Sequence, residues 1–488
     1  MSERAAKMWV PVTLGDIVDY RTEHVEPATV SADTPFLGLE HIQAGIGALV
    51  GKGKPSDVRS TKARFRSGDV LYGKLRPYLN KVYVAREDGI CSTDILVLKP
   101  RPGVLASFIC YRLLSRLFVS YATQNMSGVQ HPRVSPKALA KFSFSMPPTR
   151  EQNRIAETVD ALLSGLDAAI RTLERVLKNL KCYRQAVLKA AVEGELSREW
   201  REAHRNPIEP ASELLCRSLD DRRRTWEQAE LDKLRATGFA PRDAEWKSRY
   251  RPPESPDQKA HDPVPDGWVI ASIDQISECF DARRVPVNKA DRMTRRGTVP
   301  YFGANGQVGW IDRALFDEPL ILVVEDETFT GREIPFSYKI TGPSWVNNHA
   351  HVLRSTSAVD VDYLNYSLAY YPFTALTTGT TGRKKLTKRA LMGAPYRLPP
   401  LAEQKVIVRD VERRLSIVES IETALQHAGK RCNRLRQSIL EKAFRGELVP
   451  QDPSDEPASV LLERIRNERD AIAKPIRPSK RTLQAPAK

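Results

Sequence analysis

Two polar stretches carry the side-chain types that read nucleic acid. In KLRPYLNKV, Lys74, Arg76 and Lys81 are interleaved with Tyr78 and Asn80. Arginine can grip guanine with two hydrogen bonds, asparagine can do the same to adenine, and lysine neutralises phosphate. TQNMSGVQHPR offers Gln124, Asn125, Gln130, His131 and Arg133 on a loop marked by its Gly and Pro. Further along, TTGTTGRKKLTKR presents Thr378, Thr380, Arg383, Lys384, Lys385 and Lys388, and FGANGQVGW adds Asn305 and Gln307. A single charge run is usually just a solvated face. Two such runs at equivalent places in a duplicated chain point to a common role.

The residues for catalysis are harder to assemble. GIGALVGKGKP, from Gly45, lacks the Gly-Lys-Ser/Thr spacing of a phosphate-cradling loop and reads as a hairpin or surface turn. A methyltransferase acting on a flipped adenine needs an Asn/Asp-Pro-Pro-aromatic string; Asn206-Pro207-Ile208 fails at the second Pro. Glu325-Asp326-Glu327 is a carboxylate cluster with no Lys at short range, and reads as a solvated turn. His349 and His351 could share a strand face, but two histidines without nearby Cys or acid ligands are a weak metal signal; a binding surface is the better reading. No catalytic or metal-ligating residue is assigned.

The elements that position the polar loops are duplicated. MPPTREQNRIAETVDALLS, from Met146, recurs as LPPLAEQKVIVRDVERRLS from Leu398, and the same shift of 252 residues carries RQAVLKAAVEGEL onto RQSILEKAFRGEL. Pro147, Glu151, Gln152 and Gly194 match Pro399, Glu403, Gln404 and Gly446, while Val134-Ser135 falls on Leu386-Thr387. EPASELL at Glu209 returns as EPASVLL at Glu456. The layout alternates variable and constant segments, which is the mark of an internal repeat.

The constant segments read as long helices. Val159, Leu166, Leu173, Leu180 and Val187 recur every seven residues, with Leu162, Ala169, Val176, Tyr183 and Ala190 as a second row. The second copy gives Val411, Val418, Leu425, Cys432 and Ile439, beside a poorer row of Arg414, Ile421, Ala428, Leu435 and Lys442. The Pro-Pro pairs stop what precedes, Glu151 and Glu403 suit a first turn, and Gly194 and Gly446 suit a terminator. The seams are expected to bury against each other, as two antiparallel helices; the alternative is that each helix lies on its own domain.

The variable segments read as strand-rich α+β domains. Val70-Leu71-Tyr72, Val82-Tyr83-Val84 and Ile95 to Leu98 are strand-like, as are Val299 to Phe302 and Leu320 to Val324, with Gly303, Gly306 and Gly309 as turns. The expected organisation is a tail 1–8, a first domain 9–146, a long helix 147–196, a charged helical and Pro-rich segment 197–267, a second domain 268–397, a second long helix 398–448, and a short helix with basic tail 449–488.

The composition agrees with a polyanionic partner. Lys plus Arg number 76 against 60 acids, a net charge of +16, in a chain of 488 residues. No apolar run approaches the roughly 18 residues of a membrane helix, and MSERAAKMWV lacks the apolar stretch of a signal peptide. The six cysteines are scattered without a CxxC. A reducing cytoplasm and free thiols are expected.

On these strings the chain resembles the specificity subunits of type I restriction–modification systems. The Pro-Pro-x-x-Glu-Gln openings, the Gly-Glu-Leu ends, GDVLYGKLRPYLNKV, PYFGANGQVG and VPDGW carry the resemblance, which covers nearly the whole chain. The first domain departs from it in having no Pro-x-Gly-Trp before Trp9. The resemblance implies that each variable domain reads one half of a bipartite, asymmetric site in double-stranded DNA. The paired helices would set the unread spacer and dock two methyltransferase subunits, joined by motor-nuclease subunits. S-adenosylmethionine, ATP and magnesium would belong to those partners, with no cofactor in this chain. The family has no fixed base-contacting residues, so the DNA-binding candidates above rest on residue chemistry alone. Two other readings stay open on residues alone: a standalone nuclease or methyltransferase, and a coiled-coil scaffold without a DNA role.

Overall fold

A computed structural model describes residues 8–204, 209–238, 243–256, 263–304, 306–325, 335–379 and 384–473. The chain divides into two compact units: the residues to Glu174 together with those from Leu425 onward, and Arg175–Ala424.

In the first unit, strand Val10–Thr13 pairs antiparallel with Ser143–Met146, so the two ends of the variable segment meet, Val10 opposite Met146. Between them lie two four-stranded sheets. One runs Val18–Tyr20, Ile95–Pro100, Val70–Gly73, Val82–Val84; the other runs His24–Val25, Lys62–Phe65, Gly89–Cys91, Phe36–Leu37. Val70–Gly73 is buried throughout, as a strand covered on both faces must be. Its side chains alternate. Val70 and Tyr72 join Phe108 and Phe118 of helices Ala106–Leu114 and Arg116–Gln124, while Leu71 joins Phe65 and Val97 in a second core.

The second unit repeats the plan. Val269–Ser272 pairs with Pro395–Leu398. The sheets run Ser277–Cys279, Ala350–Ser355, Leu320–Val324, Ser337–Ile340 and Gly306–Ile311, Val299–Gly303, Pro343–Val346, Phe316–Asp317. Leu320–Val324 again sends Ile321 and Val323 to one core and Leu320 and Leu322 to another. Of the three glycines expected as turns, Gly303 and Gly306 face each other at the strand ends that flank a turn, Gly306 at φ +90°, while Gly309 lies within a paired strand.

The constant segments are helices Thr149–Val192 and Leu401–Phe444, 44 residues each, about 66 Å at 1.5 Å per residue. The Glu-Gln of each opening is buried and ties the helix to its domain. Glu151 accepts from the Trp9 indole at 3.0 Å and Glu403 from Trp268 at 2.9 Å. Gln152 accepts from the Leu105 amide and donates to the Pro147 carbonyl, both at 3.0 Å. Gln404 does the same with the Asp360 amide at 2.7 Å and the Pro399 carbonyl at 2.9 Å. Both helices close on a left-handed glycine, Gly194 at φ +76° and Gly446 at φ +73°.

Neither helix lies only on its own domain. In the first unit, Ile155, Val159 and Leu163 from the start of one helix share a core with Ile439, Leu440 and Ala443 from the end of the other. In the second, Val187, Leu188 and Ala191 share a core with Ile407 and Val411. Start meets end in both, so the pairing is antiparallel. The expected row from Val159 to Val187 faces inward, as do Val411, Val418, Leu425 and Ile439. The second row is a correction. It lies one residue later, at Leu163, Ile170, Leu177, Arg184, Ala191 and Leu415, Glu422, Gly429, Arg436, Ala443. Leu162, Tyr183, Ile421 and Leu435 are instead exposed. Charged members hid this row: Arg184 pairs with Glu422 at 3.2 Å, and Arg436 pairs with Asp167.

The EPAS repeats start helices Ala211–Ala236 and Ala458–Ala473. The Ala211 amide donates to the Gly267 carbonyl at 3.0 Å and the Ala458 amide to Met8 at 3.2 Å. Each therefore clamps the chain just ahead of the tryptophan that opens a domain.

Candidate nucleic-acid interface

In the first domain the basic segment follows strand Val70–Gly73 and turns sharply. Arg76 (φ 50°) and Asn80 (φ 46°) are the two described non-glycine residues in the left-handed region, and they bracket a single 3-10 turn, Pro77–Leu79. Side chains pay strain there, so the backbone around them must be held. The Lys74 amide donates to Asp94 at 2.9 Å, Arg76 to the Pro132 carbonyl at 2.7 Å, and the Val134 amide to Lys74 at 3.1 Å. These bonds lock the turn to the second polar loop, which folds as a hairpin of Met126–Ser127 against Arg133–Val134. The two sequence-predicted stretches are therefore brought together.

Their residues divide by exposure. Arg76 and Tyr78 are exposed, as are Gln124, Asn125, Gln130 and His131; Lys74 is half-buried. Arg133 is exposed but pairs with Asp94 at 3.0 Å. Asn80 and Lys81 are corrections. Asn80 is only 6% exposed, because the turn points its side chain inward. The Lys81 ammonium donates to the Leu39 carbonyl at 2.5 Å. The Lys81 bond ties the turn to the chain near Leu39.

In the second domain, Val299–Gly303 and Gly306–Ile311 form a hairpin that exposes Gln307, Val308 and Trp310. The basic loop is closed at its base by paired bonds between Thr378 and Lys385, 3.0 and 2.9 Å. The Leu386 amide then donates to Glu325 at 2.9 Å, the counterpart of Val134 on Lys74, each acceptor lying just past the central strand. Ser135 and Thr387 both cap the short helix that follows, accepting from Ala138 at 3.1 Å and Ala390 at 3.2 Å. Thr378, Lys385 and Lys388 are exposed and Lys384 is half-buried. Asn305, Thr380 and Arg383 lie outside the described residues, as do Asp326, Glu327 and Asn206 to Ile208.

A buried polar cluster under this loop was missed from sequence. His351 is 2% exposed, so it is no part of a binding surface. Its Nδ1 lies 2.6 Å from Asp281 and its Nε2 2.8 Å from the Leu386 carbonyl. Both ring nitrogens are therefore engaged. Arg284 bridges Asp281 and Glu325, both at 3.2 Å, and Lys385 reaches Glu325 at 3.6 Å. Glu325 therefore belongs to an ion network, not to a solvated turn. Burial works against the Asp281 charge, but His351, the Val352 amide and Arg284 outweigh it and hold the carboxyl below its ordinary range. The spaced signal was only His349-x-His351, and the partners of His351 come from a 3-10 turn at Asp281 and from Leu386. Cys279, Asp281 and His351 could group around a metal. However, Arg284 already supplies the positive charge, His351 has both nitrogens engaged, and burial pushes the Cys279 thiol up to about 11.

The comparisons with known proteins agree on one family. The model of the type I restriction modification DNA specificity domain matches residues 6–179 and 265–427. The EcoDI specificity subunit of Escherichia coli is 27% identical over 391 residues, covering 76% of this chain and 78% of the relative. The EcoKI specificity subunit of Escherichia coli K12 is also 27% identical, covering 77% and 74%. A solved chain from work on "complex assembly and conformational transition of the type I R-M system" superposes with a TM-score of 0.64 at 18% identity, covering 91% of this chain and 99% of its own. With its duplicated domains, antiparallel long helices and paired polar loops, this chain belongs to the type I restriction–modification specificity subunits.

Proposed function

We propose that the chain recognises a bipartite DNA site, one half through each variable domain. The observation that carries this is a polar loop anchored at the same point of both domains, to the residue just past the central strand, with different residues on each. Equal frameworks with unequal loops suit two different half-sites. Phosphate contacts would come from exposed lysines and arginines, and base contacts from Arg76, Gln124, Asn125 and Gln130 on one side and Gln307 with the 378–388 loop on the other.

The long helices would set the spacer and dock two methyltransferase subunits. The exposed Leu162, Tyr183, Ile421 and Leu435 support such a surface, because large apolar side chains outside the seam suit a protein partner. Methylation and cleavage would be the work of partner subunits, which would bring S-adenosylmethionine, ATP and magnesium. Among the described residues, no helix is long and apolar enough to cross a membrane.

The test is exchange of residues 9–146 for the same domain of another family member, followed by methylation mapping of the assembled complex. One half of the target should change and the other stay. Change in both halves, or in neither, would sink the modular reading.

A further inference from the structure

The two domains differ at one equivalent point beneath their helices. Gln152 holds the Leu105 amide and Gln404 the Asp360 amide, each just before a helix. Seven residues on from those anchors stand Arg112 and Ser367. Ser367 is self-sufficient: its hydroxyl bonds the Tyr363 carbonyl at 2.7 Å and the Tyr396 hydroxyl at 2.6 Å. Arg112 is not. It is 8% exposed and its Nε has no hydrogen-bond acceptor. Among the described residues it has no carboxylate partner. Its guanidinium stacks near Phe142, Phe144 and Phe444, 5.4, 5.1 and 4.8 Å from their centres. Cation–π contacts return only part of what a buried charge loses in leaving water. Burial accordingly pushes Arg112 down to about 10.

Arg112 lines a cleft of about 470 Å³ with Ser115, Arg116, Ser120, Glu441 and Arg445. Three arginines against one glutamate leave a charge of +2. The cleft also meets the start of helix Arg116–Gln124, where Ser115 holds the N-cap position without a side-chain cap bond, its hydroxyl donating instead to the Arg112 carbonyl at 2.6 Å. The first amide bonded within that turn is Val119, to Ser115 at 3.1 Å, so earlier amides are available to an anion. In the second domain these features are gone. Pro372 precedes a single turn, Phe373–Leu376, Glu193 stands where Arg445 does, and Val192 where Phe444 does.

We propose that this cleft of the first domain is a phosphate-binding site, taking a phosphate group that is free or carried by a mononucleotide. The +2 charge matches a dianion, where a carboxylate would leave a positive excess. The cleft lies at the opposite end of the helix from Gln124 and Asn125, about 13 Å along its axis, so it is separate from the proposed DNA loops. Its volume exceeds that of inorganic phosphate alone.

The test is calorimetric titration of inorganic phosphate into the full-length chain. Saturable binding at one site is expected. Arg116→Gln with Arg445→Gln, both on the surface, should weaken it at least tenfold, and Arg112→Met should abolish it. Ser367→Ala should leave it unchanged. A nucleoside monophosphate that displaces phosphate, where the nucleoside does not, identifies a nucleotide; failure to displace identifies free phosphate. Absent binding, or binding equal in wild type and the double surface variant, overturns the site and leaves Arg112 as a packing residue.

Discussion

The two recognition domains solve one problem with different chemistry. Both must hold a polar loop against the end of a central strand. The first does so mainly with backbone bonds around Lys74 and Arg76 and a solvent-facing pair, Arg133 with Asp94. The second uses a buried ion network of Asp281, Arg284, Glu325 and His351. The framework bonds are duplicated residue for residue, while the anchoring side chains are not. A shared scaffold thus leaves the loop chemistry free to diverge, as reading two different half-sites requires.

The sharpest way to break this contrast is Asp281→Ala. It takes the acceptor from His351 and the Val352 amide and leaves Arg284 with Glu325 alone, and should cost about 3–5 kcal/mol, seen as a lower urea midpoint. Asp94→Ala, at the equivalent task, should cost under about 1 kcal/mol. Equal losses would erase the distinction. The same network gives a pH signature. Because the Asp281 carboxyl is held below its ordinary value of 3.8, its stabilisation is complete above that value and is lost as pH falls through the lower folded value. Asp281→Asn should remove that part of the acid transition.

The indole clamps offer a second contrast. Glu403 binds both Trp268 and Arg201, the latter at 2.5 Å, whereas one Glu151 oxygen has no partner and burial raises its pKa. Glu403→Gln should cost about 1.5–3 kcal/mol in thermal unfolding, because it leaves a half-buried guanidinium short of its anion. Glu151→Gln keeps the acceptor for Trp9 and should fall within about 0.5 kcal/mol of wild type.

Arg76 sharpens the comparison on the DNA side. Arg76→Ala should weaken binding to the cognate first half-site by about 1–3 kcal/mol and relax its sequence, measured by competition among half-site variants. Uniform weakening on all sequences would make it a phosphate contact. Arg76→Gly should lose the same affinity yet raise stability by up to about 1 kcal/mol, because glycine adopts φ 50° without strain.

The sequence made the framework legible because repetition exposes it. The Pro-Pro starts, the glycine stops, the first heptad row and the central strands all stand where their patterns put them. The second helix row stayed hidden because Arg184, Glu422 and Arg436 occupy it, and a hydrophobic pattern cannot register an inward charge that finds its partner on another helix. The site was legible as two stretches, not as side chains. Lys74 to Lys81 looks uniformly available in one dimension, yet two left-handed residues turn Asn80 inward and leave Arg76 out.

By itself, then, the sequence determined the duplication, the element types and the basic character of the loops, all local or periodic properties. Only the tertiary structure decided that each domain's core is completed by the end of the other domain's helix, that His351 is buried under a loop with both nitrogens engaged, and that Arg112 has no carboxylate partner among the described residues. Those facts depend on which residues meet from distant parts of the chain, and on how much water remains when they do.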